Sequence, residues 1–220
     1  MMLKPEFFAH DSCEVAKSLL GKVLRRKYKN TWLSARIIET EAYYLAEKAS
    51  HSSLGYTEKR KAMFMPPGTI YMYYARGHDS LNISCGNKGD AVLIKAAYPF
   101  FDVLSPRHTL KTMQKLNPAK NGMPRTAEKL CAGQTLLCKS LDLKVTEWDK
   151  KQFDKSCFYI DDIKQVPGQI IQTYRLGIHV DRDAHLLYRF IDADFTKYCS
   201  ANPLSKRSFI PGEDYVIYPK

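Results

Sequence analysis

Two glutamates two residues apart, Glu39 and Glu41, followed by Tyr43, close an apolar run in ARIIETEAYYLAEKASH, residues 35–51. Alternate residues of a strand line one face, so Ile37, Glu39, Glu41 and Tyr43 are expected to share one. Glutamate is depleted in strands, and a carboxylate beside apolar neighbours is costly unless paired. Alone, Glu41 reads as a salt-bridged carboxylate at a sheet edge ahead of a general base, and Glu39 competes for the same role on the same face. Lys95, inside AVLIKAAY, separates the readings. A lysine in an apolar strand needs a partner or an exit to solvent. A glutamate on a neighbouring strand is such a partner, and Glu41 with Lys95 would hold a water or an anionic group between them.

Aromatic residues gather near the same segments. Tyr71 and Tyr74 read as core packing. Tyr43 and Tyr73 can instead form the two walls of a flat slot. Stacking on such walls stabilises a nucleobase by ~1–3 kcal/mol, and electron-rich rings attract a cationic base by a further ~0.5–2 kcal/mol. His51 lies in a polar loop with Ser50, Ser52 and Ser53. Arg76, in YYARGHDS, sits at the tip of a candidate hairpin, either as a solvated charge or as a group that enters a DNA groove or the gap left by an extruded base.

These residues need elements to hold them. Asp11 is placed to cap a helix in HDSCEVAKSLLG, with Glu14 three residues on and Gly21 as its stop. KVLRRKY and TWLSARIIETEAY read as strands joined at Lys29-Asn30. A basic loop closed by Pro66-Pro67-Gly68 follows. Residues 70–76 form one strand of the hairpin, Gly77-His78-Asp79-Ser80 its turn, and residues 81–85 the return. DAVLIKAAYP is a further apolar strand. SPRHTLKTMQKL starts a helix with Ser105 as N-cap and Pro106 in the first turn, and TAEKLCAGQTLLCKSL is helical on both sides of Gly133. Strands are expected at CFYI, QIIQTYRLGIHV and LLYRFI. With no internal repeat or linker, the 220 residues read as a single α+β domain on an antiparallel sheet.

Composition narrows the partners. The net charge of +11 suits a polyanion, either nucleic acid or an anionic membrane surface, and nucleic acid is read ahead of a merely solvated basic surface. The six cysteines form no C-x-x-C pair, and no histidine lies at finger spacing from two of them, which argues against zinc. They read as thiols of a reducing compartment. The N-terminus has no signal-peptide core, and no apolar run approaches the ~20 residues of a membrane span. A soluble, cytoplasmic protein without cofactor is expected.

ETEAY, MFMPPGTIYMYY, LNISC and AVLIKAA, in that order, resemble the alkyladenine DNA glycosylase family, the 3-methyladenine-DNA glycosylases of the mammalian type. The resemblance continues through LCAGQTLLCKSLDL to YRLGIHV and LLYRFI. It implies a curved antiparallel sheet, a protruding DNA-inserting hairpin, and a monomer acting on double-stranded DNA that contains damaged purines. It implies hydrolysis of the N-glycosidic bond of a flipped purine nucleotide (3-methyladenine, 7-methylguanine, hypoxanthine or ethenoadenine) by water. Glu41 would be the general base. Tyr43, His51 and Tyr73 would line the base pocket, with Asn82 at its floor. Lys95, where family members usually carry arginine, would position the water and the flipped phosphate, and the Leu176 carbonyl would hold the water. Arg76 falls where the family places a large aromatic wedge, with His78 or Met63 as alternatives. Two other readings stay open. One is a hydrolase of soluble glycosides using Glu39 and Glu41 as a pair, for which the charge of +11 has no purpose. The other is a damaged-DNA binding module without turnover.

Overall fold

The computed structural model describes residues 1–205 and 209–219. Nine strands build one antiparallel sheet: β1 (Val23–Tyr28), β2 (Thr31–Tyr43), β3 (Ile70–Ala75), β4 (His78–Ser84), β5 (Ala91–Pro99), β6 (Phe158–Asp161), β7 (Gln169–Thr173), β8 (Arg189–Asp192) and β9 (Tyr215–Pro219). They run in the order β3-β4-β5-β2-β8-β7-β9, with β1 bridging β2 and β6. The helices are α1 (Pro5–Phe8), α2 (Ser12–Leu19), α3 (Thr109–Leu116), α4 (Ala127–Leu130), α5 (Gln134–Ser140) and α6 (Val145–Trp148). The fold is α+β, as the sequence pattern implied.

Local signals explain several elements. The Asp11 carboxylate accepts the Cys13 and Glu14 N–H groups at 2.8 and 3.3 Å, satisfying two of the donors exposed at the start of α2. Gly21 ends the helix at φ 84°, and a Cβ there would sit 2.7 Å from the Gln165 carbonyl oxygen. β1 and β2 form a tight hairpin at Lys29-Asn30, with Tyr28 opposite Thr31.

Other boundaries shift. Ser105 does not cap α3, which begins at Thr109. Its hydroxyl is buried against that of Ser34, and its N–H donates to Asp102, which also receives the Arg25 guanidinium. The strand expected through YRLGIHV ends at Thr173, and β9 was not foreseen. The β3–β4 turn is Arg76-Gly77, not residues 77–80, because Ala75 pairs with His78. Both turn residues have positive φ, 51° and 80°, the geometry that matches the twist of a two-residue hairpin.

The most consequential difference lies inside β2. Its register against β5 runs Ile37–Ala97, Glu39–Ala96, then Thr40–Ile94, so Ile38 and then Lys95 each stand as an extra residue. Each such bulge reverses the alternation of faces. Leu33, Ala35 and Ile37 pack in the main core, but beyond the bulge it is Ala42 that does so, and Thr40 bonds the Ala16 carbonyl of α2. Ile37 therefore does not share a face with Glu39, Glu41 and Tyr43. In β5 the core takes Val92, Ile94 and then Ala97, leaving Ala91, Leu93 and Lys95 on the glutamate side. β3 and β4 give Ile70, Met72, Leu81 and Ile83 to the core and turn Tyr71, Tyr73 and Asn82 the other way. One face of the sheet is thus an apolar core under the helices. The other is a polar face covered by the segments after β2 and β7.

Candidate active site

Glu41 is fully buried, and its carboxylate is paired on both oxygens. Its Oε1 lies 3.0 Å from Lys95 Nζ, and its Oε2 accepts the Tyr43 hydroxyl at 2.7 Å. Oε1 accepts no further hydrogen bond from the described residues, so it retains acceptor capacity. Burial, and then the neighbouring Glu41 charge, push the Tyr43 phenol well above its ordinary pKa. Tyr43 therefore stays protonated and remains a donor to the carboxylate.

Glu39, two residues earlier, is committed elsewhere. Arg189 Nε lies 2.8 Å from its Oε1, and the Ser200 N–H and hydroxyl both reach it. Both carboxylate oxygens of Glu39 are thus engaged by Arg189 and Ser200. The two glutamates that the spacing makes equivalent are separated by what β5 and β8 bring to each.

Beside this pair lies a cavity of about 180 Å³ lined by Tyr43, His51, Met63, Tyr71, Tyr73 and Asn82, with Ile178 and Arg182 from the segment after β7. His51 begins a short 3₁₀ turn, Ser52–Leu54, steadied by the Ser50–Ser52 and Ser53–Ser50 hydrogen bonds. Its Nδ1 is 2.9 Å from the Tyr71 hydroxyl, and its ring packs edge-on against Tyr73 at 4.3 Å. Burial first, then the cations Arg60 and Arg182, lower the His51 pKa, so the ring is neutral at pH 7. The Tyr71 and Tyr73 rings are near-parallel, 5.7 Å apart. Asn82 donates to the Tyr71 carbonyl at 3.3 Å. Glu41 and Lys95 do not line the cavity themselves; Tyr43, which does, joins them to it.

Most of the expected residues thus converge, and some do not. Leu176 is outside the cavity lining, where Ile178 stands instead. Met63 is buried beside Tyr71 and Ala91, which makes it a cavity wall and not an exposed wedge. Arg76 and His78 stand exposed at the hairpin tip, while the body of the hairpin is docked through Asp79 to the Val145 N–H and through the Met72 N–H to Asp149. Tyr74, read as a core residue, is 56% exposed two positions from the tip. It offers an aromatic surface that the sequence reading missed. Arg175 was also missed. Its signal was present, since it lies inside the strand expected over QIIQTYRLGIHV and so raises the same question of a partner as Lys95 does.

A family model described as methylpurine-DNA glycosylase matches residues 6–196. A protein of Pseudomonas aeruginosa (strain LESB58) is 56% identical over 213 residues, 97% of this chain and 89% of the relative. One of Pseudomonas savastanoi pv. phaseolicola is 56% identical over 215 residues, 98% of this chain and 96% of the relative. A more distant one, of Clostridium beijerinckii, is 32% identical over 191 residues, 84% and 91% of the two chains. Each carries the name of a candidate 3-methyladenine DNA glycosylase.

Proposed function

The chain belongs to the methylpurine-DNA glycosylase family, and on that premise we propose that it excises alkylated or deaminated purines from duplex DNA with a Glu41-activated water. The observation that carries the reading is the buried Glu41, paired with Lys95 and Tyr43 directly behind an aromatic cavity.

The excess of basic residues attracts the duplex through its phosphates, with an affinity that falls as salt rises. A damaged purine pairs and stacks poorly, so extruding it takes less than the few kcal/mol of a normal pair. The slot of Tyr43, His51 and Tyr73 accepts the base, with Asn82 at its floor. Glu41 takes a proton from a water whose oxygen bonds to the sugar C1′. The C1′–N9 bond breaks and its electron pair leaves with the purine. A cationic base such as 3-methyladenine or 7-methylguanine departs neutral. Hypoxanthine departs as an anion unless a proton reaches it. Lys95 pairs with Glu41 and faces the sugar-phosphate of the flipped nucleotide. The Leu176 carbonyl is a further candidate contact for the water. The protein acts as a monomer on cytoplasmic DNA and needs no cofactor. Incubation with duplexes that each carry one defined lesion, followed by alkaline cleavage, tests the substrate range. Breaks at 7-methylguanine, 3-methyladenine, ethenoadenine or hypoxanthine positions are expected. Their absence at all four would overturn the proposal.

In this scheme the water and not Lys95 attacks C1′, and Lys95 Nζ stays paired with Glu41 at 3.0 Å. Borohydride added during turnover is therefore expected to trap no protein–DNA adduct. A reducible adduct on a denaturing gel would replace the water with a lysine nucleophile.

Arg76 is the proposed wedge, standing in the gap that the flipped nucleotide leaves. A guanidinium is planar and can stack as well as hydrogen-bond an orphaned base. Arg76→Ala is expected to slow excision at least tenfold for a lesion in a matched pair and far less in a mismatch, which needs little help leaving the stack. Equal slowing of both, with the salt slope reduced by about one phosphate contact, would make Arg76 a backbone contact. The wedge would then be His78 or the exposed Tyr74.

A further inference from the structure

Arg175 has no place in the scheme so far, yet it is 4% exposed and contacts the two residues that follow Glu41. Its Nη1 donates to the Ala42 carbonyl at 2.9 Å. Its guanidinium lies 4.5 Å from the centre of the Tyr43 ring and 5.4 Å from that of Tyr188. It forks onto Glu47 at 2.7 and 2.6 Å, and Glu47 in turn accepts the Tyr44 N–H at 2.8 Å. Tyr43 borders the cavity and Arg175 does not. The cation therefore contacts the Tyr43 ring from outside the base site.

A cation on one side of a ring draws on the same electron density that would attract a cation on the other. Glu47 masks that charge, since the pair is bidentate and nearly dry, with side chains 1% and 6% exposed. We infer that Arg175 is a positioning and specificity-determining residue, which fixes Tyr43 against Glu41 and, through the balance of its charge with Glu47, sets how well the pocket takes a cationic purine against a neutral one. The inference rests on the function proposed above. It concerns residues that touch neither the water nor the base.

The test is the ratio of single-turnover excision rates for 7-methylguanine, whose nucleotide is cationic, and hypoxanthine, which is neutral. Glu47→Gln unmasks the guanidinium and should lower that ratio about fivefold relative to wild type. The double variant Glu47→Gln/Arg175→Gln removes the cation and should raise the ratio above wild type by about twofold. A packing role alone would slow both substrates together and leave the ratio in place. The double variant carries the test by itself if Glu47→Gln leaves an unpaired buried charge and does not fold. A ratio within error of wild type in any folded variant overturns the inference while leaving the function intact. Failure of the wild-type chain to excise either base overturns both.

Discussion

Glu41→Gln should bind a lesion-bearing duplex as wild type does and excise the lesion slower by a factor on the order of 10²–10⁴. The substitution is isosteric, and the amide oxygen can still accept the Tyr43 hydroxyl that Oε2 accepts at 2.7 Å. What it removes is the charge opposite Lys95 and the ability to take a proton. Base stacking in the cavity depends on Tyr43, His51 and Tyr73, which stay in place, so affinity persists. Single-turnover rates at saturating protein separate the two quantities, because they report the chemical step after binding is complete. Equal rates for Glu41→Gln and wild type would remove Glu41 from the chemistry. Loss of rate and of binding together would point to a collapsed pocket.

The same type of residue two positions earlier should behave in the opposite way. Glu39 is fully buried and Arg189 is 1% exposed, joined at 2.8 Å, with Ser200 completing the carboxylate shell. Arg189 also donates to the Tyr174 and Ala201 carbonyls, tying β8 to the residue that follows β7 and to the segment beyond β8. Removing one member of such a pair leaves the other charge buried without a partner, which costs about 3–5 kcal/mol. Arg189→Met is therefore expected to lower the unfolding free energy by about that amount, seen as an earlier denaturant midpoint at similar slope. The rate per folded molecule should stay within severalfold of wild type, since Glu39 is engaged by Arg189 and Ser200 and does not line the cavity. Glu39→Gln should destabilise less, because the amide still accepts from Ser200. A loss under about 1 kcal/mol in Arg189→Met, the range of an exposed pair, would mean that this interior is wetter than its burial implies.

Much of this was legible before the coordinates. Asp11 capping α2, the Lys29-Asn30 turn and the apolar strand around Lys95 are written in residue types whose effects are local. The pairing of Glu41 with Lys95 followed from the cost of burying an amine, which holds in any fold. The bulge at Ile38 was not legible. Ile38 is one apolar residue among several, and nothing in ARIIETE marks which of them is extra. That one residue decides which way both glutamates face, and the strand pattern read straight through it placed Ile37 on the wrong side of the sheet. The hairpin turn was misjudged because Gly77 alone suggested where a positive φ would fall, whereas the twist required it at Arg76 as well. Tyr74 was assigned to the core because aromatics usually are. Its strand extends past the core, so the alternation that buries Ile70 and Met72 leaves Tyr74 in solvent. Arg175 and Glu47 lie 128 residues apart, and only the folded chain shows them meeting behind Tyr43.

The central claim is that this cavity and Glu41 release a damaged purine by adding water at C1′. It is tested most directly by following one reaction for two products, free base by chromatography and strand integrity by denaturing gel. The substrate is a duplex carrying a single 7-methylguanine, and the protein is in excess. The account predicts free 7-methylguanine appearing in step with an abasic strand that stays intact until alkali is added, one base for each alkali-sensitive site, with both signals lost in Glu41→Gln. Tight binding without release of base, or strand breaks that form before alkali, would contradict it.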